Sequence, residues 1–132
     1  MNIDYVYKLM LDEISTESFC DLIKPKKIDE YINELFSVSF KDENSVGIDI
    51  SLYLYFKFPN VKADINKLSK LLTYDWHEKH DDVLRLILKS SSSISSDFIK
   101  ESMSIDFKYM INDDSLITYR KNCEYALKKL DG

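Results

Sequence analysis

The chain has 132 residues, 45% of them hydrophobic and 31% charged, enough for one domain with a sizeable core and too few for two. Two glycines and two prolines cannot furnish a tight turn every ten residues, so a β-sandwich or barrel is disfavoured and helices are expected. Eighteen Lys and Arg against 23 Asp and Glu give a net charge of −5, the wrong sign for a surface that neutralises phosphates, so no direct nucleic-acid binding is expected.

Apolar residues Ile3, Tyr7, Met10 or Leu11 and Ile14 predict an N-terminal helix that breaks near Ser15 and Thr16. Ile28, Tyr31, Ile32, Leu35 and Phe36 follow the i, i+3, i+4, i+7, i+8 rule of an amphipathic helix, with Pro25 at its entry and Asp29 and Glu30 where the helix dipole favours acids. Residues 46–58, VGIDISLYLYFKF, alternate strictly, which read alone is a strand. Ile48, Leu52, Tyr55 and Phe56 also make a helical stripe, and an isolated strand would leave its backbone unpaired, so a helix is expected. From Val61 the 3.6 period returns in Ile65, Leu68, Leu71 and Leu72, ending around Tyr74 to His77, and His80, Val83, Leu84, Ile87 and Leu88 form a second run. These two runs predict a helical hairpin. Ser90 to Ser96 holds six serines around Ile94 and is expected to be a loop that supplies an N-cap. Ile94, Phe98, Ile99 and Met103 come next, then an irregular DFKYMINDD stretch. A last helix runs through Leu116, Tyr119, Cys123, Ala126, Leu127 and Leu130, capped by Asp114 or Ser115 and closed by Lys128 and Lys129. The expected fold class is all-α: a single domain of HEAT-like stacked antiparallel helix pairs, a superhelix or bundle that leaves a broad surface for a protein partner.

No apolar run approaches the roughly 20 residues of a membrane span, and the opening MNIDYVYKLMLDE lacks the order of a signal peptide. A cytoplasmic protein without membrane contact is therefore expected. Cys20 and Cys123 lie far apart with no CxxC and read as reduced thiols. The negative charge is localised: residues 1–45 hold ten acids and five lysines, a balance of −5, while the rest of the chain is neutral. Such a face either steers a basic partner or simply solvates the protein.

The segment Asp75-Trp76-His77-Glu78-Lys79-His80-Asp81-Asp82 concentrates the single tryptophan and both histidines. His77 and His80, three apart, could share a helix face and begin a metal set, but no further histidine and no Glu-x-x-His completes one, so no metal and no cofactor are expected. The simpler expectation is a helix corner in which Trp76 packs between repeats, a histidine bonds a backbone carbonyl, and Asp81 or Asp82 caps the next helix. Cys20 has no helix N-terminus to make a thiolate, and Cys123 sits in an apolar stripe. With Gly47 and Gly132 the only glycines, no phosphate-cradling loop exists. Carboxylates adjacent in sequence, as in Asp12-Glu13 or Asp42-Glu43, point in different directions on a helix and make poor acid–base pairs. No catalytic residue and no small-molecule substrate are expected.

The segment Leu71-Leu72-Thr73-Tyr74-Asp75-Trp76-His77-Glu78-Lys79-His80-Asp81-Asp82-Val83 resembles the LL-x-x-DWH-x-KHED segment of a family of small HEAT-like helical proteins of bacteria. Asp113-Asp114-Ser115-Leu116 and Tyr119-Arg120-Lys121-Asn122-Cys123-Glu124-Tyr125-Ala126-Leu127 resemble that family's closing DD-x-x-L-x-RKC-x-x-AL helix. Asp81 stands where the pattern has Glu, and Asn122 displaces Cys by one position. Together the blocks span residues 61–130, and residues 1–60 are divergent and acidic. The resemblance implies an immunity protein of a contact-dependent-inhibition or polymorphic toxin system, which binds and blocks a cognate toxin domain, often a nuclease with a basic cleft. In it Asp75, Trp76, His77, His80, Asp82 and Arg120 are shared scaffold. The partner-facing residues are then expected in the acidic first third, at Asp12, Glu13, Asp29, Glu30, Tyr31, Glu34, Asp42 and Glu43, with Glu78, Asp113 and Asp114 as second choices. Two other readings stand beside it: a helical-repeat adaptor for a nontoxic protein, and a metal-dependent hydrolase using His77 and His80.

Overall fold

The computed structural model describes residues 3–90, 93–111 and 114–131, and among these every regular element is helical. The chain divides into two compact units, Met1–Lys62 and Ala63–Gly132.

The first unit contains α1 (Asp4–Met10), α2 (Thr16–Leu22), α3 (Ile28–Lys41) and α4 (Ser45–Lys57). α1 and α2 pack together, and α3 and α4 form a hairpin. Ser15 starts α2 by accepting a hydrogen bond from the Ser18 amide, and Asn44 starts α4 in the same way through Gly47. The stripe expected on α3 is buried from Tyr31 to Phe36. On α1 the helix forms but the expected face is corrected: Val6 and Leu9 are buried, while Tyr7, Met10 and Leu11 are exposed. A seven-residue helix with apolar groups on both sides gives periodicity nothing to choose between.

Residues 45–57 are helical, and their alternation has a physical origin. Ile48, Ile50, Ser51, Leu52, Leu54 and Tyr55 are all buried, so α4 is enclosed on nearly every side and carries no polar stripe to reveal its period. Its approach to α3 needs a glycine: a Cβ at Gly47 would lie 2.0 Å from Ser39 Oγ and 2.8 Å from Ser39 Cβ. Both α1 and α3 end in a left-handed residue, Asp12 at φ 58° and Glu43 at φ 52°. The next amide reaches back five residues to close the turn, Glu13 to the Lys8 carbonyl and Asn44 to that of Ser39.

The second unit contains α5 (Ile65–Leu71), α6 (His80–Ser90), a 3₁₀ turn (Ser93–Ser95), α7 (Ser96–Met103), a second 3₁₀ turn (Lys108–Met110) and α8 (Ser115–Asp131). α5 pairs with α6 and α7 with α8, and the two pairs meet through α5 on α7 and α6 on α8. The serine-rich loop plays a different part from the one expected. Ser95 precedes α7 but makes no side-chain cap; its buried hydroxyl bonds Ser69 Oγ at 2.7 Å, and the Ser69 hydroxyl in turn donates to the Ile65 carbonyl. Ile94, expected inside, is exposed. α5 is also shorter than expected, because the chain leaves the helix after Leu71 to build the corner described next.

Candidate functional site

Two groups of residues stand out, one in each unit. In the second unit, residues 74–80, non-helical as far as Lys79 and entering α6 at His80, form a corner after α5, so His77 and His80 do not share a helix face as their spacing suggested. The fold brings them together nonetheless: their rings stack at 4.1 Å, and both side chains are 0% exposed. The Lys79 amide donates to His77 Nδ1 at 3.1 Å, which fixes Nε2 as the protonated nitrogen, and Nε2–H donates to the Leu71 carbonyl at 2.6 Å. That carbonyl belongs to the last turn of α5, so His77 satisfies a group the helix cannot. His80 repeats the pattern. Its Nε2–H donates to the Tyr74 carbonyl at 2.7 Å, and its Nδ1 accepts from the Tyr109 hydroxyl at 2.6 Å.

Aromatic rings enclose the pair. Phe107 lies 3.9 Å from the His80 ring centroid, Tyr119 meets the same ring edge-on, and Trp76 meets His77 edge-on while stacking on Tyr74. Burial holds both imidazoles below their ordinary value, His80 to about 3, where the neighbouring His77 adds to the effect. Burial likewise pushes the Tyr109 and Tyr119 hydroxyls up. All four imidazole nitrogens are thus engaged in a neutral, dry cluster, leaving no lone pair for a metal ion. Among the described residues no three of His, Cys, Asp and Glu are grouped to hold one. In this arrangement His77 and His80 act as hydrogen-bonding groups of the corner.

The remaining scaffold residues take separate places. Arg120 donates through Nε to the Met103 carbonyl at 2.8 Å and through Nη2 to Asp106 at 2.6 Å, pinning the segment that leads to Phe107 and Tyr109. Asp82 accepts from Arg85, and Asp81 accepts from Asn122 of α8; both acids lie in the first turn of α6 rather than at its cap. Asp75 and Glu78 are exposed. Asp114 is exposed and borders a shallow concavity with Asp81, Ser115 and Thr118, whereas Asp113 lies outside the described residues. Phe107, Tyr109 and Tyr119 complete the cluster. Of these, sequence reasoning had placed only Tyr119 in a helical stripe, and the others lay in a stretch without period.

In the first unit, Asp12, Glu13, Asp29, Glu30, Glu34, Asp42 and Glu43 are all exposed. Glu34 pairs with Lys26. They do not form one cluster: the thirteen-residue separation of Asp29 and Asp42 along α3 is about 20 Å, more than twice the screening length of about 8 Å in physiological salt. Tyr31 is corrected as a partner-facing residue. It is 5% exposed and packs edge-on against Phe19, its hydroxyl pushed up by burial. Neither cysteine is an activated nucleophile: both are free thiols, and burial raises each above its ordinary value.

No known protein family, curated protein or solved structure matches the chain. No helix among the described residues is long and apolar enough to cross a membrane.

Proposed function

We propose that the chain is an immunity protein that binds a cognate bacterial toxin domain in the cytoplasm and neutralises it by protein–protein contact. One observation carries the reading: all seven candidate carboxylates of the first unit are exposed, and among them Glu34 alone forms an ion pair, so the excess negative charge faces solvent. Negative charge on such a surface steers a basic partner and speeds encounter, most strongly at low salt. A nuclease cleft built to hold phosphates is such a partner. The second unit supplies a scaffold in this reading, with α5–α6 and α7–α8 as HEAT-like stacked pairs and the histidine corner as their internal fastening. A chain with no activated cysteine and fully engaged histidines fits blocking better than catalysis.

The test is a calorimetric titration of the purified chain with a candidate toxin domain encoded beside its gene. A saturable 1:1 heat that weakens as salt rises is expected. Absence of heat at micromolar protein, with both partners folded, would count against the proposal.

A further inference from the structure

We propose that His77 and His80 form an acid-sensitive latch, in which protonation of the stacked pair opens the 74–80 corner and releases Trp76. The closed corner is built for neutral imidazoles alone. Each ring spends its one N–H on a backbone carbonyl, and each Nδ1 faces a donor, the Lys79 amide or the Tyr109 hydroxyl. A proton on His77 Nδ1 would meet an amide N–H 3.1 Å away, which, being backbone, cannot turn aside. A proton on His80 Nδ1 would force the Tyr109 hydroxyl, which also accepts from the His80 amide, to give up its present bond. Two cations would then stand with ring centroids 4.1 Å apart, both out of reach of water.

The Leu71 and Tyr74 carbonyls favour the charged rings but less than burial disfavours them, and no charged side chain faces the pair closely enough to tip the balance. Tyr109 and Tyr119, from the second 3₁₀ turn and α8, are neutral hydroxyls, and Cys123 beyond Tyr119 is a neutral thiol. Glu78, Asp81 and Asp82 act on Tyr109 from the edge of the cluster, where Asp81 is held by Asn122 and Asp82 by Arg85. Lys79 contributes its amide, and Asp75 is exposed.

The direction with pH follows. Above about 6.5 neither the open nor the closed corner carries the proton, and the histidines contribute nothing. Below it the open corner binds protons at the ordinary value while the closed one does not, so opening is favoured as pH falls. The gain ends where the closed state also protonates, near 3 for His80. Within that window His80 multiplies the opening constant by about ten per pH unit, so at pH 5 it contributes about 30-fold, and His77 acts in the same sense.

The chain's single tryptophan and two histidines make the test direct. The full chain is titrated from pH 8 to 3 while Trp76 emission and the two imidazole C2–H resonances are followed. The expected result is a reversible red shift of Trp76 beginning below pH 6.5, with both imidazoles titrating together with that shift and neither before it. His80→Phe, which keeps a ring against Phe107 and removes the titration, is expected to move the midpoint to lower pH. An imidazole that titrates near 6.5 while Trp76 emission stays constant would overturn the latch, as would an unchanged midpoint in a folded His80→Phe. Should that variant not fold at pH 7, the wild-type resonances decide: titration coincident with the Trp76 change supports the latch, and titration separate from it overturns it.

Discussion

Gly47→Ala isolates the contact that lets α4 lie against α3. The added methyl would sit 2.0 Å from Ser39 Oγ and 2.8 Å from Ser39 Cβ. Rotating the serine removes the first clash, but the second involves Cβ, which no rotamer moves, so the helices themselves must separate. Overpacking of that kind costs about 1–3 kcal/mol. Alanine also returns about 1 kcal/mol of helix propensity over glycine, so the expected net loss is up to about 2 kcal/mol. Urea unfolding followed by far-UV circular dichroism measures it. The double substitution Ser39→Gly with Gly47→Ala, which moves the missing side chain to the other helix, should recover most of the packing loss, giving a coupling energy above the roughly 0.5 kcal/mol of independent sites. A Gly47→Ala protein more stable than wild type would show that propensity outweighs contact here and refute the packing argument.

Three further outcomes are expected. Ser69→Ala leaves the buried Ser95 hydroxyl without its acceptor and should cost about 1–3 kcal/mol, while Ser69→Ala with Ser95→Ala should cost less than the two singles added; additive denaturation energies would contradict the pairing. Arg120→Ala should free the segment between α7 and the second 3₁₀ turn, seen as faster amide exchange at residues 104–107 with protection in the first unit unchanged, and unaltered exchange there would be the contrary result. Tyr109→Phe removes the donor to His80 Nδ1 and should lower unfolding stability at pH 7 by about 1–2 kcal/mol, against no change if that hydrogen bond contributes nothing.

What could be read from the sequence divides along physical lines. A helix half in water announces itself, and α3 and α6 carry their buried stripes in register with the 3.6 period. α4 is enclosed, so strand and helix periods both fit and the choice turned on where a lone strand's hydrogen bonds would go. α1 is too short, and apolar on both sides, for its face to be read. The histidine block was recognisable as a corner, and a carbonyl-bonded histidine was the right chemistry for it, realised by both rings. Tyr109 and Phe107 were not legible because their contacts with His80 span 29 and 27 residues, and no local spacing records a contact at that distance. Tyr31 fits the α3 stripe, and that periodicity already argued for its burial against its place among the surface acids. The carboxylates were legible as exposed residues, while their spread along α3 required the length of the helix.

Survival of cells that produce a candidate toxin domain encoded beside the gene for the chain bears most directly on the proposed function. Three cultures are compared: without the chain, with the wild-type chain, and with Asp29→Lys and Glu30→Lys together, which alter exposed side chains of the first turn of α3 and leave its buried stripe intact. Protection by the wild type is expected, with weaker protection by the folded double variant. Equal killing in the presence and absence of wild-type chain would contradict the immunity reading, and equal protection by both forms would contradict the role of the acidic surface.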